Sequence, residues 1–157
     1  MSNFVNARQL GGDEDLRLDL CDEAGDVAKL AEAGAQLIFA PSQDEMYGEN
    51  FATTVVLKGP AKANLEDKFR PHFFDGVATV VAKLFIQSGA AFSMFGQKDY
   101  QQLQVVTAMA RDLDIAIEVI GIPTVRDADG MALSSRNRYL TKSERGQATA
   151  IYKSLSQ

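Results

Sequence analysis

Apolar residues recur at helical spacing in several segments of the chain. In residues 76–87 they fall at i, i+3, i+4, i+7 and i+8, which predicts a helix with one buried face. Residues 22–33 and 99–111 show the same period, and Gly34 is placed to stop the first of them. A further helix is predicted after Thr141, because Thr141 and Glu144 have the spacing of a capping box. The residues predicted to face inward in the four helices are Val27, Leu30 and Ala31; Val77, Val80, Val81, Leu84 and Phe85; Leu103, Val106 and Ala110; and Ala148, Ile151, Tyr152 and Leu155.

Short apolar runs between the helices are typical of strands. We expect strands at residues 37–40, 53–57, 92–95 and 115–120, the last being the most buried. Residues 58–75 contain a glycine, two prolines and many charges, which predicts a loop. The alternation of strands and helices indicates βαβ units, and therefore an α/β fold with a parallel sheet.

Charge and cysteine content exclude several classes of protein. The formal net charge of -5 argues against general nucleic-acid binding, whose footprint is basic. Cys21 is the only cysteine, so no intrachain disulfide forms and a reducing compartment is expected. No apolar run approaches the ~20 residues of a membrane helix, and no leader pattern precedes the domain. We therefore expect a cytoplasmic protein without membrane contact.

Two polar segments after predicted strands are candidates for phosphate binding. Residues 121–138 contain two hydroxyls and two arginines, namely Ser134, Ser135, Arg136 and Arg138, which offer neutral donors and fixed positive charge. Residues 95–99 combine Gly96 with Lys98 just before a predicted helix N-terminus, where anions bind favourably. Each segment alone is also compatible with an ordinary surface loop.

Four stretches resemble one family. Residues 123–137 read Pro-Thr-Val-Arg-Asp-Ala-Asp-Gly-Met-Ala-Leu-Ser-Ser-Arg-Asn and closely resemble the ATP-side signature of the pantothenate synthetases, the pantoate:beta-alanine ligases. Three further stretches agree and follow the family's order: Phe-Val-Asn-Ala-Arg-Gln-Leu at residues 4–10, Phe-Ala-Pro-Ser-Gln-Asp-Glu-Met-Tyr at 39–47, and Phe-Gly-Gln-Lys-Asp-Tyr-Gln-Gln-Leu at 95–103.

The resemblance implies a fold and a reaction. The fold is a Rossmann-like parallel sheet flanked by helices, of the nucleotidyltransferase type, with an incomplete first βα unit. Residues 1–140 would form the nucleotide- and pantoate-binding domain, and residues 141–157 would begin a helix that leads into a second domain. The implied reaction is the ATP-dependent condensation of pantoate with beta-alanine through a pantoyl adenylate, with Mg²⁺ as the metal and a homodimer as the assembly.

The resemblance also implies site residues. The ATP-binding set is Gly96, Lys98, Asp99, Val125, Ser134, Ser135 and Arg136, and the catalytic set within it is Lys98, Ser134, Ser135 and Arg136. The pantoate-binding set is Asn6, Gln9 and Gln102, whose amides can donate to and accept from a substrate that carries hydroxyls and one carboxylate.

The sequence also departs from the family pattern. Gln97 stands where the family has glutamate, Asp67 replaces a glycine, and His72 lies one residue early in the stretch that matches Arg-Pro-x-His-Phe-x-Gly. Asp-Leu-Cys-Asp at residues 19–22 replaces Tyr-Pro-Arg-Thr, and the family's His-x-Gly-His motif does not occur in the 157 residues. Three hypotheses therefore stay open. The chain is a ligase domain, or a catalytically inactive domain that binds ATP or pantoate or forms a dimer, or another adenylyl-transferring enzyme of the same superfamily.

Overall fold

The structure, a computed structural model, describes residues 23–156 of the chain. The helices are α1 (Glu23–Glu32), α2 (Gln43–Met46), α3 (Glu66–Phe69), α4 (Phe73–Ser88), α5 (Tyr100–Asp112) and α6 (Lys142–Leu155). The strands are β1 (Phe92–Gly96) and β2 (Glu118–Ile122), and 3-10 turns occupy Gly59–Lys62, Gln97–Asp99 and Ser135–Tyr139.

The central unit is a βαβ crossover. Strands β1 and β2 pair in parallel, from Phe92 opposite Glu118 to Gly96 opposite Ile122, and α5 connects them. This confirms the predicted α/β class and the parallel sheet, because two parallel neighbours need a long crossover between them. Within residues 23–156 the sheet has two strands.

The core lies between α4 and α5. Val77 of α4 and Val105 and Val106 of α5 are fully buried, and Phe85 of α4 meets Phe95 of β1 edge to face with ring centroids 6.2 Å apart. Helix α4 buries more than the single face predicted from its apolar spacing, because Ala78, Thr79 and Ala82 are buried as well. Helix α4 packs against α5 on one side, while Leu57 and Ala61 of the preceding segment join the same core.

The predicted helix ends are largely confirmed. Gly34 adopts a φ of +84° after α1, and the Ala35 amide donates to the Leu30 carbonyl across 2.9 Å, which satisfies a carbonyl at the end of the helix. Thr141 and Glu144 form the expected capping box at the start of α6. Asp22, the predicted cap of α1, lies outside the described residues.

Two predicted strands are absent from residues 23–156. In residues 37–40 only Phe39 forms a bridge, and residues 53–57 contain no strand. The Val55 amide instead donates to the Thr79 hydroxyl across 2.9 Å. The β-branched composition predicted an extended backbone correctly, but this segment lies against helix α4 rather than beside a strand.

The last strand begins later than predicted and is less buried. Asp114 adopts a φ of +52°, and the Ile115 amide still donates to the Ala110 carbonyl at 3.0 Å. The chain therefore continues to turn after α5, and β2 starts at Glu118 rather than at residue 115. No residue of β2 is fully buried.

The predicted loop at residues 58–75 contains helical turns. Pro60 lies at the start of the 3-10 turn Gly59–Lys62, a position where its missing amide proton is not needed. The Asp67 carboxylate accepts hydrogen bonds from the amides of Asn64 and Leu65 and so stabilises the start of α3.

Candidate functional site

A cleft of about 440 Å³ lies where β1 ends and α5 begins. In parallel sheets the carboxyl ends of the strands are where ligand sites form. Three segments contribute to the cleft wall: the region of α3 and the start of α4, the β1–α5 junction, and the 3-10 turn Ser135–Tyr139. The lining residues are Leu65, Glu66, Arg70, Phe73, Phe74, Lys98, Asp99, Tyr100, Gln101, Gln102 and Arg136.

Lys98 and Asp99 line the cleft just after the end of β1. They belong to the 3-10 turn Gln97–Asp99, which joins β1 to the N-terminus of α5. The Lys98 ammonium lies 3.1 Å from both carboxylate oxygens of Asp99, and the two side chains are 38% and 62% exposed. Because an exposed ion pair of this kind is weak, an anionic ligand can compete for the lysine.

Arg136 approaches the cleft from the other side. Ser134 caps the 3-10 turn by accepting from the Arg136 amide across 3.3 Å, which leaves the Arg136 side chain at the cleft wall. Among residues 23–156 its guanidinium has no hydrogen-bond or ion-pair partner. A fixed cation without a partner, beside a helix N-terminus, suits an anionic ligand.

Four of the predicted site residues therefore come together in one cleft: Lys98, Asp99, Gln102 and Arg136. Gly96, Val125, Ser134 and Ser135 do not line it. The Ser134 hydroxyl is engaged in the cap, and Val125 is 62% exposed. Asn6 and Gln9 lie outside the described residues.

Arg70 lines the cleft and was not predicted from the sequence. Its Nε pairs with Glu66 Oε1, and its guanidinium carbon lies 4.1 Å from the centre of the Phe73 ring. The stretch that begins with Arg70 and Pro71 was noticed only for its histidine. The histidine itself, His72, is exposed and contacts Asp75 at 3.6 Å, whereas Phe73 lines the cleft.

Gln101 holds the cleft wall in place and was also missed. Its side-chain oxygen accepts from the Glu66 amide at 3.0 Å, and its side-chain nitrogen donates to the Pro60 carbonyl and to Asp67 Oδ1, both at 3.0 Å. Burial acts to raise the pKa of Asp67, but hydrogen bonds from Gln101 and from two backbone amides outweigh it and hold that pKa below its ordinary value. Asp67, which stands where the resemblance leads us to expect glycine, thus helps to hold a residue of the wall in place.

The signature segment folds as a hairpin over residues 125–133. Arg126 and Ala132 form an antiparallel bridge, and the Leu133 amide donates to the Val125 carbonyl across 3.0 Å. The hairpin leads directly into Ser134 and the turn that carries Arg136. Its acidic tip, Asp127 and Asp129, binds Arg145 of α6.

The cleft combines positive charge with two amide side chains, those of Gln101 and Gln102. Three cationic and two anionic side chains line it, so its local charge is positive although the whole chain carries -5. Gln102 adds a group that can both donate and accept. Fold and site together define an α/β domain with a positively charged cleft at the carboxyl end of a parallel strand.

Comparison with known proteins assigns the family. The family model described as pantoate-beta-alanine ligase matches residues 1–157, and the chain belongs to this family. The chain is 52% identical over 155 residues to pantothenate synthetase 2 of Bradyrhizobium diazoefficiens, covering 99% of this chain and 55% of that protein. It is 55% identical over 148 residues to the pantothenate synthetase of Caulobacter vibrioides, covering 94% and 52%. The chain thus spans about half the length of the curated relatives it matches.

Solved structures support the fold. The pantothenate synthetase of Thermus thermophilus superposes with a TM-score of 0.93 at 51% identity, covering 98% of this chain and 56% of that one. The pantoate-beta-alanine ligase of Francisella tularensis, solved in complex with beta-gamma ATP and beta-alanine, gives 0.90 at 33% identity and covers 99% and 60%. These matches confirm the nucleotidyltransferase type of fold expected from the resemblance. No helix within residues 23–156 is long and apolar enough to cross a membrane.

Proposed function

We propose that this chain supplies the ATP- and pantoate-binding part of a pantoate:beta-alanine ligase. The observation that carries the proposal is the convergence of Lys98, Arg136 and Gln102 on one cleft in a chain of this family. In the proposed reaction the pantoate carboxylate attacks the α-phosphorus of ATP and pyrophosphate leaves. The amine of beta-alanine then attacks the acyl carbon of the adenylate, and AMP leaves.

In this proposal the cations of the cleft bind the phosphates. Lys98 exchanges its pairing with Asp99 for a phosphate oxygen, and Arg136 adds a bidentate contact, so that both neutralise charge on the leaving pyrophosphate. Gly96, Asp99 and Val125 complete the ATP site, and the hydroxyls of Ser134 and Ser135 donate to the nucleotide. Gln102 binds pantoate together with Asn6 and Gln9. That the Francisella relative was solved in complex with beta-gamma ATP and beta-alanine supports these two compounds as ligands of this fold.

Mg²⁺ would reach the site with the nucleotide. Within residues 23–156 no three metal-ligating side chains cluster together. Magnesium in nucleotide sites binds mainly to phosphates and water, with one or two carboxylates, so a preformed protein cage is not needed. Asp99 is a carboxylate of the cleft lining that fits this role.

The organisation around the cleft is proposed from the family and from exposed apolar residues. We propose residues 1–140 as the binding domain and residues 141–157 as the start of a second domain, since Ile151 and Leu155 of α6 are 70% and 82% exposed.

A cytoplasmic homodimer is proposed as the assembly. Phe92 and Met94, exposed on one face of β1, are available for such contact, and light scattering of the purified chain tests it.

Pyrophosphate release separates the three open hypotheses. The ligase hypothesis predicts pyrophosphate from Mg-ATP only when pantoate is present, and pantothenate once beta-alanine is added. Release that is equal with unrelated carboxylic acids would favour a different adenylyl-transferring enzyme. Binding of Mg-ATP without any release would favour the binding-only domain, for which the change of the family's glutamate to Gln97 is the supporting observation.

A further inference from the structure

Helix α6 contacts the hairpin at residues 125–133 through Arg145, which forms ion pairs with two carboxylates. Arg145 Nη2 lies 2.7 Å from Asp127 Oδ2, and Arg145 Nη1 lies 2.7 Å from Asp129 Oδ2. The arginine side chain is 27% exposed, and the two acids are 44% and 43% exposed. One guanidinium thus bridges two carboxylates that are two residues apart on the hairpin tip, which fixes the orientation of the tip as well as its distance.

A second contact lies further along the same helix. The Arg126 guanidinium stacks over the Tyr152 ring at 4.0 Å and also donates to the Gly130 carbonyl at 3.1 Å. Gly130 has a φ of +92°, and a Cβ at this position would lie 2.4 Å from Tyr152 Cδ1. The hairpin therefore approaches α6 as closely as a glycine allows. Arg145 and Tyr152 are seven residues apart, so they share one face of the helix.

Hydrogen bonds connect the hairpin at residues 125–133 to the turn that carries Arg136. The Leu133 amide donates to Val125 at 3.0 Å, and the next residue, Ser134, caps the turn that carries Arg136. The Asn137 side chain donates to the Ala132 carbonyl at 2.9 Å, which ties this turn back to the hairpin. A movement of the hairpin tip would therefore move Arg136, which has no ion pair of its own among the described residues.

We infer that Arg145 is a positioning residue for the nucleotide site, acting through Asp127 and Asp129 to hold Arg136 in the cleft. The inference rests on the proposed function, because Arg136 matters here as a phosphate ligand. Arg145 does not line the cleft, so its effect on a nucleotide is indirect and passes through the hairpin that it binds.

The test is a double-mutant cycle on the full chain, with Mg-ATP affinity measured by isothermal titration. Arg145→Met weakens Mg-ATP binding by about tenfold in the wild-type background and by less than about twofold in an Arg136→Met background, since coupled residues are not additive. Arg145→Lys restores part of the affinity, because it keeps the positive charge but lacks the planar array of donors that orients both acids. Lys153→Met, which removes another exposed cation from the same helix, leaves the affinity unchanged.

Additive losses in the double variant would overturn the inference, as would full affinity in Arg145→Met. If the wild-type chain binds no Mg-ATP, the proposed function fails, and amide hydrogen exchange then decides the positioning role separately. Residues 131–137 exchange about tenfold faster in Arg145→Met than in Lys153→Met if Arg145 holds the hairpin. Equal exchange in the two variants would overturn the inference on its own.

Discussion

The side-chain nitrogen of Gln101 lies 3.0 Å from Asp67 Oδ1 and so connects helix α5 to helix α3 beside the cleft. Asp67 also accepts from the backbone amides of Asn64 and Leu65. The residue that replaces the family's glycine therefore organises the segment that places Glu66 and Arg70 at the cleft.

Replacing Asp67 with glycine will loosen this wall. Asp67→Gly removes the acceptors of the Asn64 and Leu65 amides and leaves one donor of Gln101 without its partner. We expect amide hydrogen exchange in residues 58–70 to rise by about tenfold while exchange in α4 is unchanged. Asp67→Asn, which keeps one acceptor oxygen, is the matched control and should give a smaller rise. Unchanged exchange in Asp67→Gly would show that the hydrogen bonds of Asp67 do not hold the wall.

The Thr79 hydroxyl provides a second test of buried polar contacts. Thr79 is 2% exposed, and its hydroxyl accepts from the Val55 amide at 2.9 Å and donates to the Asp75 carbonyl at 2.6 Å. Thr79→Val should lower the free energy of unfolding by about 1–3 kcal/mol, because the Val55 amide loses its acceptor. Thr107→Val is the control, since that exposed hydroxyl only donates to the Leu103 carbonyl of its own helix. Equal losses in urea denaturation of the two variants would contradict the role of Thr79.

Met109 and Met94 form a matched pair for the core. Met109 is 1% exposed in the interface between α4 and α5, whereas Met94 is 70% exposed on β1. Met109→Ala should cost about 2–5 kcal/mol of unfolding free energy through lost burial and a cavity. For the monomeric chain, Met94→Ala should stay within about 0.5 kcal/mol. A loss in Met94→Ala that grows with protein concentration would mean that the proposed dimer covers this face of β1. Equal losses in both variants at low protein concentration would contradict the core position of Met109.

The ion pairs of Arg145 predict a pH dependence. Hydrogen bonding to Arg145, and then the Met131 amide, hold the pKa of Asp129 below its ordinary value. An aspartate whose pKa is lower in the folded state than in the unfolded state stabilises the folded protein. This stabilisation is complete above the unfolded-state pKa of about 3.9 and is lost as the pH falls through the folded-state pKa. The wild type should therefore melt at a higher temperature than Arg145→Met at neutral pH, and the difference should shrink below about pH 4. A difference that stays constant down to about pH 2, below the usual range of aspartate pKa values, would exclude Asp129 as the titrating partner.

Periodicity and local signals predicted the elements that depend on short-range physics. Helices α4 and α5, the parallel pair β1 and β2, and the capping box at Thr141 follow from apolar spacing and side-chain hydrogen bonding within a few residues. The strand at residues 53–57 was predicted wrongly because its composition specifies an extended backbone, while the partner, Thr79 of α4, is 24 residues away in sequence.

Four cleft residues that lie in stretches resembling the family were predicted from the sequence, whereas Arg70 and Gln101 were not. Lys98, Asp99, Gln102 and Arg136 were identified from the sequence and meet in the cleft. Arg70 and Gln101 were missed, because their roles arise from contacts between segments far apart in sequence, such as Gln101 with Pro60 and Glu66. Pairing of distant segments leaves no local periodic signal in a single sequence.

Calorimetric titration of the wild-type chain with Mg-ATP tests the central claim most directly, with Arg136→Met and Arg138→Met as the paired variants. Arg138 lies two residues further along the same turn, with its guanidinium 5.7 Å from the Tyr139 ring, and it does not line the cleft. The account predicts saturable binding to the wild type, a loss of about tenfold or more in Arg136→Met, and wild-type affinity in Arg138→Met, since a charge-assisted phosphate contact contributes about 1.5–3 kcal/mol. No binding to the wild type, or equal losses in both variants, would contradict a nucleotide site at this cleft.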